Sequence, residues 1–502
     1  MQNSGAEMSR LLVIGVDALD AVQFEKFRAF LPNLSRLRAE GFYSPMSSVW
    51  PPDSDTAWAS IFTGWNPARH GVFRFMDPLE KTSRYIQEER DNSILRGNTF
   101  WDIAGIHGKR ILALFPHACY PSWPVNGLMI TRASLGTHVS IAPEEYTSRY
   151  DLNGLNAVKG LAGRDRAAYL RANRRQVERQ LELTRELVRA HEWDLCFTYW
   201  PALDIIQHQF WNSCDPNDPT YPGANPYQDA IRDFYIMHDR VVGELANCAG
   251  KDTNVMVLSD HGHGRRPVRI FNINKLLLNH GLLYLKHPGT HAQRSLLRKV
   301  KAGAMSLAGK YHLGAFAAKA LKAFPGIKKA YITAADLDLE RSLAYTTDMS
   351  GIKAYSYGGV LIARRNINGL DYESVRDNVI GLLEEAVDPQ QPGRPLVKWI
   401  KRREELYAGP YLGEYPDLVF ELQPDLGAGW DAAGGLFDVS LSHNLHPGSH
   451  YGASATFFLS GVEVRRDAVR LPSSLMDIAP TILDILGLPA PADMEGRSVL
   501  NQ

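Results

Sequence analysis

Two hydrophobic periodicities alternate along the chain. Short apolar runs at Leu11–Val16, Arg110–Phe115, Leu195–Tyr199 and Val255–Leu258 have strand length and polar or turn-forming flanks, the pattern of buried strands. Between them run longer stretches with apolar residues at helical spacing. In Ala167–His191 the residues Leu170, Val177, Leu181, Leu187 and Val188 repeat on one face of a long, otherwise charged helix. Helices are also read over Gln23–Glu40, Asn98–Ile106 and Tyr227–Ala246, and Asn212–Pro226, rich in Pro, Asn, Asp and Gly, reads as a surface loop. Strands alternating with helices predict an α/β fold with a largely parallel sheet. The chain carries no repeats or low-complexity segments.

Three of the apolar runs end in side chains that carry chemistry. Val255–Leu258 leads into Asp260-His261-Gly262, Leu11–Val16 into Asp17, and Leu195–Tyr199 into Asp204 and His208, one helical turn apart. Ser54 precedes a helix-like stretch that runs to Thr63-Gly64, and His450 sits in the small-residue turn Gly448–Gly452. Open α/β sheets hold ligands at the carboxyl ends of their strands, where such acids and imidazoles gather. Taken singly, Asp17 is also explained as a turn or helix cap, and the Asp204/His208 pair as a surface contact. Three aspartates, three histidines and one hydroxyl, all at element ends, suit two adjacent divalent cations and a covalent nucleophile. Ser54, Asp55 and Thr56 compete for the nucleophile position. Ser54 lies at the mouth of the helix, where an anion is favoured, and Thr56 reads as the helix N-cap.

These segments resemble the alkaline phosphatase superfamily, specifically its type I phosphodiesterase/nucleotide pyrophosphatase branch. VIGVDALD, PPDSDTAWASIFTGWNPARHGVF, LDIIQHQFW, VLSDHGHG, PGSHYGASATFFLSG and DIAPTILDILGLP follow in the family's order over nearly the whole chain. The resemblance implies an alkaline-phosphatase-like three-layer αβα sandwich with a cap insertion. The core would span 8–264 and 430–502 and the insertion 265–429, with the closing helix Ser474–Leu486 on the sheet edge. It implies two divalent cations, usually zinc, with manganese as the alternative. One would be held by Asp17, Ser54, Asp260 and His261, the other by Asp204, His208 and His450, with His446 the competitor of His450. Counting back from Thr63-Gly64 puts the nucleophile at Ser54, and His70 is expected at a helix end or behind the ligands. Two in-line displacements through Ser54 would retain configuration at phosphorus.

Some departures narrow the reading. Ala57 stands where the nucleotide pyrophosphatases place an asparagine that holds a phosphoryl oxygen. The C/S-x-P-x-R motif of sulfatases is missing, and the Asp/His/Lys pattern of independent-type phosphoglycerate mutases is not reproduced. The expected function is a metal-dependent phosphoric-ester hydrolase acting on a small phosphate ester or nucleotide. A phosphomonoesterase of a biosynthetic pathway is the alternative, ahead of a non-catalytic protein that binds anionic lipid or phosphate.

Composition changes this picture in few places. Lys plus Arg and Asp plus Glu number 55 each, so global charge points to no stable nucleic-acid partner. Four cysteines without paired spacing argue against a disulfide framework and fit a reducing compartment. With a polar N-terminus, Met8 an alternative start, and no long apolar stretch, a cytoplasmic location is expected. From His261 to Ala335 there is no Asp or Glu but fourteen Lys and Arg. The basic helical segment 290–330 within it reads as a solvated face, a lid for a polyanionic substrate, or a contact with an anionic membrane surface. Lys353 is expected to re-enter the site from the insertion.

Overall fold

A computed structural model describes residues 9–73, 94–133, 138–286, 337–347, 354–461 and 471–500, apart from positions 159, 161, 164, 339, 368, 433, 441, 442, 444 and 473. The basic segment 290–330 and Lys353 lie outside these residues. In chain order the strands begin with β1 (Arg10–Val16), β2 (Phe42–Met46), β3 (Ile111–Leu114), β4 (Gly127–Arg132), β5 (Val139–Ala142), β6 (Leu195–Trp200) and β7 (Thr253–Leu258). They continue with β8 (Gly262–Arg265), β9 (Arg269–Asn272), β10 (Ala344–Thr347), β11 (Tyr357–Ile362), β12 (Val397–Arg402) and β13 (Leu418–Leu422). The last are β14 (Leu426–Gly429), β15 (Phe437–Val439), β16 (Gly448–Tyr451) and β17 (Ala455–Ser460).

The central sheet has eight strands in the order β2-β17-β7-β1-β6-β3-β4-β5. Its middle, β7-β1-β6-β3-β4, is parallel, and β17, β2 and β5 run antiparallel to their neighbours. Successive side chains of a strand face opposite sides, and β1 shows the result. Leu12, Ile14 and Val16 enter one core with the helices Pro32–Glu40, Arg166–Ala190, Ala202–Cys214 and Ala230–Ala249. Leu11 and Val13 enter the other with the helices Ser54–Thr63, Phe100–Ile106 and Ile478–Ile485. Helices on both faces of one sheet make the three-layer αβα sandwich.

A four-stranded antiparallel sheet, β10-β11-β13-β12, lies within the span read as the insertion and has its own apolar core with the helix Tyr372–Glu384. It meets the segment that leads to Ser54 through Trp50, whose N–H donates to the Tyr407 hydroxyl (2.7 Å) and whose carbonyl accepts from that of Tyr415 (2.9 Å). A small sheet, β14-β9-β15, crosses the boundary read at 430, since β15 lies beyond it.

Three local expectations are corrected. The helix read over Gln23–Glu40 is broken into Ala21–Phe27, a 3-10 turn at Arg28–Phe30 and Pro32–Glu40, because Pro32 has no N–H to continue a helix and starts a new one. Thr56 is not the N-cap of the nucleophile helix. Asp53 has extended backbone and accepts the Asp55 N–H (3.3 Å), which starts the helix at Ser54 and leaves Thr56 inside it. The closing helix Ile478–Ile485 packs on a sheet face rather than an edge, because Ile478, Ile482 and Ile485 pack with the Ser54–Thr63 and Phe100–Ile106 helices.

His70 ends the short helix Pro67–His70 and braces the nucleophile helix: its Nε2 meets Ser60 Oγ at 2.9 Å and its Nδ1 accepts the Val72 N–H at 3.0 Å. Burial pushes this imidazole down to about 3, far below its ordinary 6.5. A depressed folded-state value stabilises the fold above pH 6.5 and loses that contribution as pH falls toward 3, since only the unfolded chain takes up the proton. Lowering pH from 7 to 4.5 is expected to cost about 2–3 kcal/mol through this group. Chemical denaturation of wild type and His70→Gln at both pH values checks it: the variant should show a shallower pH slope.

Candidate metal centre

The three central parallel strands finish level with one another. β1 pairs with β6 up to Val16↔Trp200 and with β7 up to Gly15↔Leu258, so the residues that follow each strand emerge side by side. Asp17 follows β1, Asp260 and His261 follow β7, and Asp204 occupies the first turn of the helix Ala202–Cys214 after β6. His450 arrives differently. The two-stranded ribbon β8-β16 sets it opposite His263, and β16 comes close because residue 448 is glycine. A Cβ there would lie 2.3 Å from His263 Cε1 and 2.5 Å from the Gln207 carbonyl. Gly15 acts similarly for Ser54: a Cβ on it would sit 2.5 Å from Trp58, so only glycine lets the helix Ser54–Thr63 lie against β1.

All seven sequence-derived site residues converge. The Ser54 hydroxyl lies 3.2 Å from His261 Nε2, which is 3.5 Å from Asp17 Oδ1 and 3.2 Å from Asp260 Oδ2. His208 Nε2 and His450 Nε2 stand 2.9 Å apart and 3.3 and 3.4 Å from Asp204 Oδ1. Two sets of three residues bring ligand atoms close enough to share an ion: Asp204, His208 and His450, and Asp17, Asp204 and His261. Asp204 therefore belongs to both, whereas the sequence placed it in one. His446 is turned away to Gln209, its Nδ1 at 2.8 Å from the amide nitrogen, so His450 occupies the position the two competed for.

The donor chemistry fits cations. Each imidazole directs Nδ1 at a backbone carbonyl: His261 at Gly262 (3.0 Å), His208 at Gly448 (3.2 Å) and His450 at Pro52 (3.0 Å). Those N–H bonds leave the Nε2 lone pairs facing inward, the orientation of metal-bound histidines. Two such lone pairs at 2.9 Å repel unless positive charge lies between them. A tetrahedral ion with bonds of about 2.0–2.1 Å separates its ligand atoms by about 3.3 Å, the spacing of Asp204 Oδ1 from His208 and His450. The buried oxygens Asp17 Oδ1, Asp204 Oδ1 and Asp260 Oδ2 have no hydrogen-bond partner among the described residues, which a cation would remedy. Burial, reinforced by the charges of Asp260 and Asp204, raises the Asp17 carboxyl well above its usual range, and burial pushes Asp260 up to about 8.

Four supporting residues escaped the sequence reading or were only glimpsed in it. The Tyr199 hydroxyl donates to Asp17 Oδ2. His117 Nε2 meets Asp55 Oδ1 at 2.7 Å, beside the nucleophile. Tyr355 packs its ring 5.1 Å from that of His450. His263 is buried 3.6 Å from Asp204 Oδ1. The DHGH string was the sole signal for it. His443, further along the chain, pairs instead with Asp218 (3.0 Å).

A family model described as type I phosphodiesterase / nucleotide pyrophosphatase matches residues 11–351. The chain belongs to this family. With it comes the alkaline phosphatase superfamily, whose members here are hydrolases of phosphoric esters and anhydrides. Among solved structures, murine ectonucleotide pyrophosphatase/phosphodiesterase 5 is 13% identical with a TM-score of 0.52, covering 96% of each chain. The human protein of that name is 12% identical with a TM-score of 0.54, covering 98% of this chain and 100% of that one. An inactive variant of the murine protein in complex with AMP is similar at 12% identity, a TM-score of 0.52 and 96% of each chain. These likenesses show the fold. A curated 2,3-bisphosphoglycerate-independent phosphoglycerate mutase from Gloeobacter violaceus is 65% identical over 34 residues, and the chain spans only 6% of that relative's length. Among the described residues no helix is long and apolar enough to cross a membrane.

Proposed function

We propose that this protein hydrolyses phosphoric diesters or nucleotide pyrophosphate bonds through Ser54, over two divalent cations. The observation that carries this reading is the position of the Ser54 hydroxyl, 3.2 Å from His261 Nε2 and at the first turn of a helix. A helix N-terminus favours an anion, so both a serine oxyanion and a phosphoryl oxygen are welcome there. Asp17, Asp260 and His261 would hold one cation beside Ser54, and Asp204, His208 and His450 the other, with Asp204 able to serve both. When bound, the cations supply positive charge that lowers the serine pKa, offsets charge on the leaving oxygen and activates water. Carboxylate and imidazole donors suit zinc, with manganese the alternative, and metal analysis of purified protein decides between them.

The Ser54 proton leaves to solvent, since the Nε2 lone pairs that face the hydroxyl are those that would hold the cations. Ser54 Oγ then forms a bond to phosphorus as the bond to the leaving oxygen breaks in line. Water cleaves the resulting phosphoseryl ester from the opposite side and returns Ser54. A small phosphate ester or nucleotide is the substrate class, a reading supported by family membership and by the AMP bound to a protein of similar fold.

Two displacements at phosphorus predict retained configuration with a chiral thiophosphate diester; inversion excludes the phosphoseryl route. In the same preparation bis-p-nitrophenyl phosphate is expected to turn over at least tenfold faster than p-nitrophenyl phosphate. The reverse order favours the monoesterase.

A further inference from the structure

His263 has no assigned part in the site, yet it is among its most enclosed members. Its side chain is 0% exposed, and neither ring nitrogen has a hydrogen-bond partner among the described residues. Burying two such atoms without use is costly, so they call for a physical account. The ring is held from three sides. It stacks on Trp211 at 5.5 Å and 25°, meets the His208 ring edge-on at 4.7 Å, and its backbone N–H donates to Asp20 Oδ2 at 3.1 Å. So fixed, Nε2 faces Asp204 Oδ1 at 3.6 Å, just outside hydrogen-bond reach, and among the described residues that oxygen has no hydrogen-bond partner. His263 does not join Asp204, His208 and His450 in the set whose donor atoms lie within reach of a single ion. It faces the same Asp204 oxygen as His208 and His450 do, from outside that set.

We infer that His263 is a positioning residue, whose Nε2–H holds the Asp204 carboxylate in the orientation that presents Oδ1 to His208 and His450. Rotation of either side chain by a few tenths of an ångström turns the facing pair into a hydrogen bond. Groups that orient a metal-binding carboxylate in this way typically change metal affinity by about 10–100-fold. The inference rests on the proposed function, because it needs a cation at Asp204.

Its test is zinc binding by competition with a chromophoric chelator, using the full chain as wild type, His263→Phe, His263→Met and His263→Gln. Phenylalanine keeps the stack on Trp211 and methionine keeps the volume, and neither has a donor. Both are expected to weaken one of two zinc ions by about 10–100-fold while folding as wild type does by circular dichroism. Glutamine, with an N–H at the end of its chain, is expected to recover affinity to within about threefold of wild type. Phe and Met variants that bind as wild type does overturn the role of His263, as does a Gln variant no better than Phe. A wild type that holds no zinc or manganese overturns the proposed function as well, so the two failures are distinguishable.

Discussion

Ser54→Ala is expected to lose roughly 10⁴-fold in kcat toward a diester substrate, the scale of removing a covalent nucleophile, while still holding its cations. In the proposed reaction this hydroxyl is the nucleophile, yet little else in the fold depends on it. Asp53, not Ser54, caps the helix by accepting the Asp55 N–H, so the helix start survives the change. Stability should stay within about 1 kcal/mol of wild type, as for substitutions that disturb neither cap nor core. Thr56→Ala is the control. Its hydroxyl is buried two residues away without a described partner, so its loss should leave kcat within about threefold. Single-turnover kinetics with elemental analysis of both variants decides the matter. A Ser54→Ala enzyme at wild-type rate, or a Thr56→Ala enzyme that is dead, moves the nucleophile elsewhere.

Removing the cations should abolish activity and also change the pH dependence of stability. Asp260 is raised to about 8 by burial, and burial with neighbouring carboxylates raises Asp17 as well. Folded-state values above the unfolded 3.8 mean that the metal-free fold is best served below about pH 4. That advantage drains away as pH rises through about 8, because the buried carboxylates must then ionise. Between pH 5 and 8 the chelated protein is expected to lose about 4 kcal/mol through Asp260 alone. In the loaded protein cation binding offsets that loss, since it needs deprotonated ligands and strengthens as protons leave. Thermal melts at pH 5 and 8, in excess chelator and in excess zinc, should show zinc raising stability more at pH 8 than at pH 5. Parallel slopes mean that no cation occupies these carboxylates.

The residues that gather at this site were legible because strand ends are. An apolar run that stops at Asp17 or Asp260 announces both the strand and the crevice it faces. What sequence could not supply was register. Tyr199 reaches Asp17 because β6 pairs Tyr199 with Gly15, and nothing in LCFTYW fixes that alignment. His117 meets Asp55 across sixty-two positions, and His263, on a ribbon strand, meets Asp204 on a separate helix. Asp53 and Thr56 both carry capping side chains, so the choice between them was settled only by where the chain turns extended. The Pro32 break was written in the sequence and overridden by the helical periodicity on either side of it. The basic stretch 290–330 and Lys353 stay as expectations, outside the described residues.

The place of β17 in the sheet bears on how the chain is made. β17 lies between β2 and β7, bonded to both, so a strand from the first fifty residues waits for one from the 450s before it has a neighbour. During synthesis on the ribosome, the open flank of β7 stays unpaired for some two hundred residues of elongation. Unpaired apolar strand edges invite pairing with other chains. This fold therefore places its main aggregation hazard in the nascent chain, and holdase chaperones that cover that flank should raise the yield of protein more than any change to the finished surface.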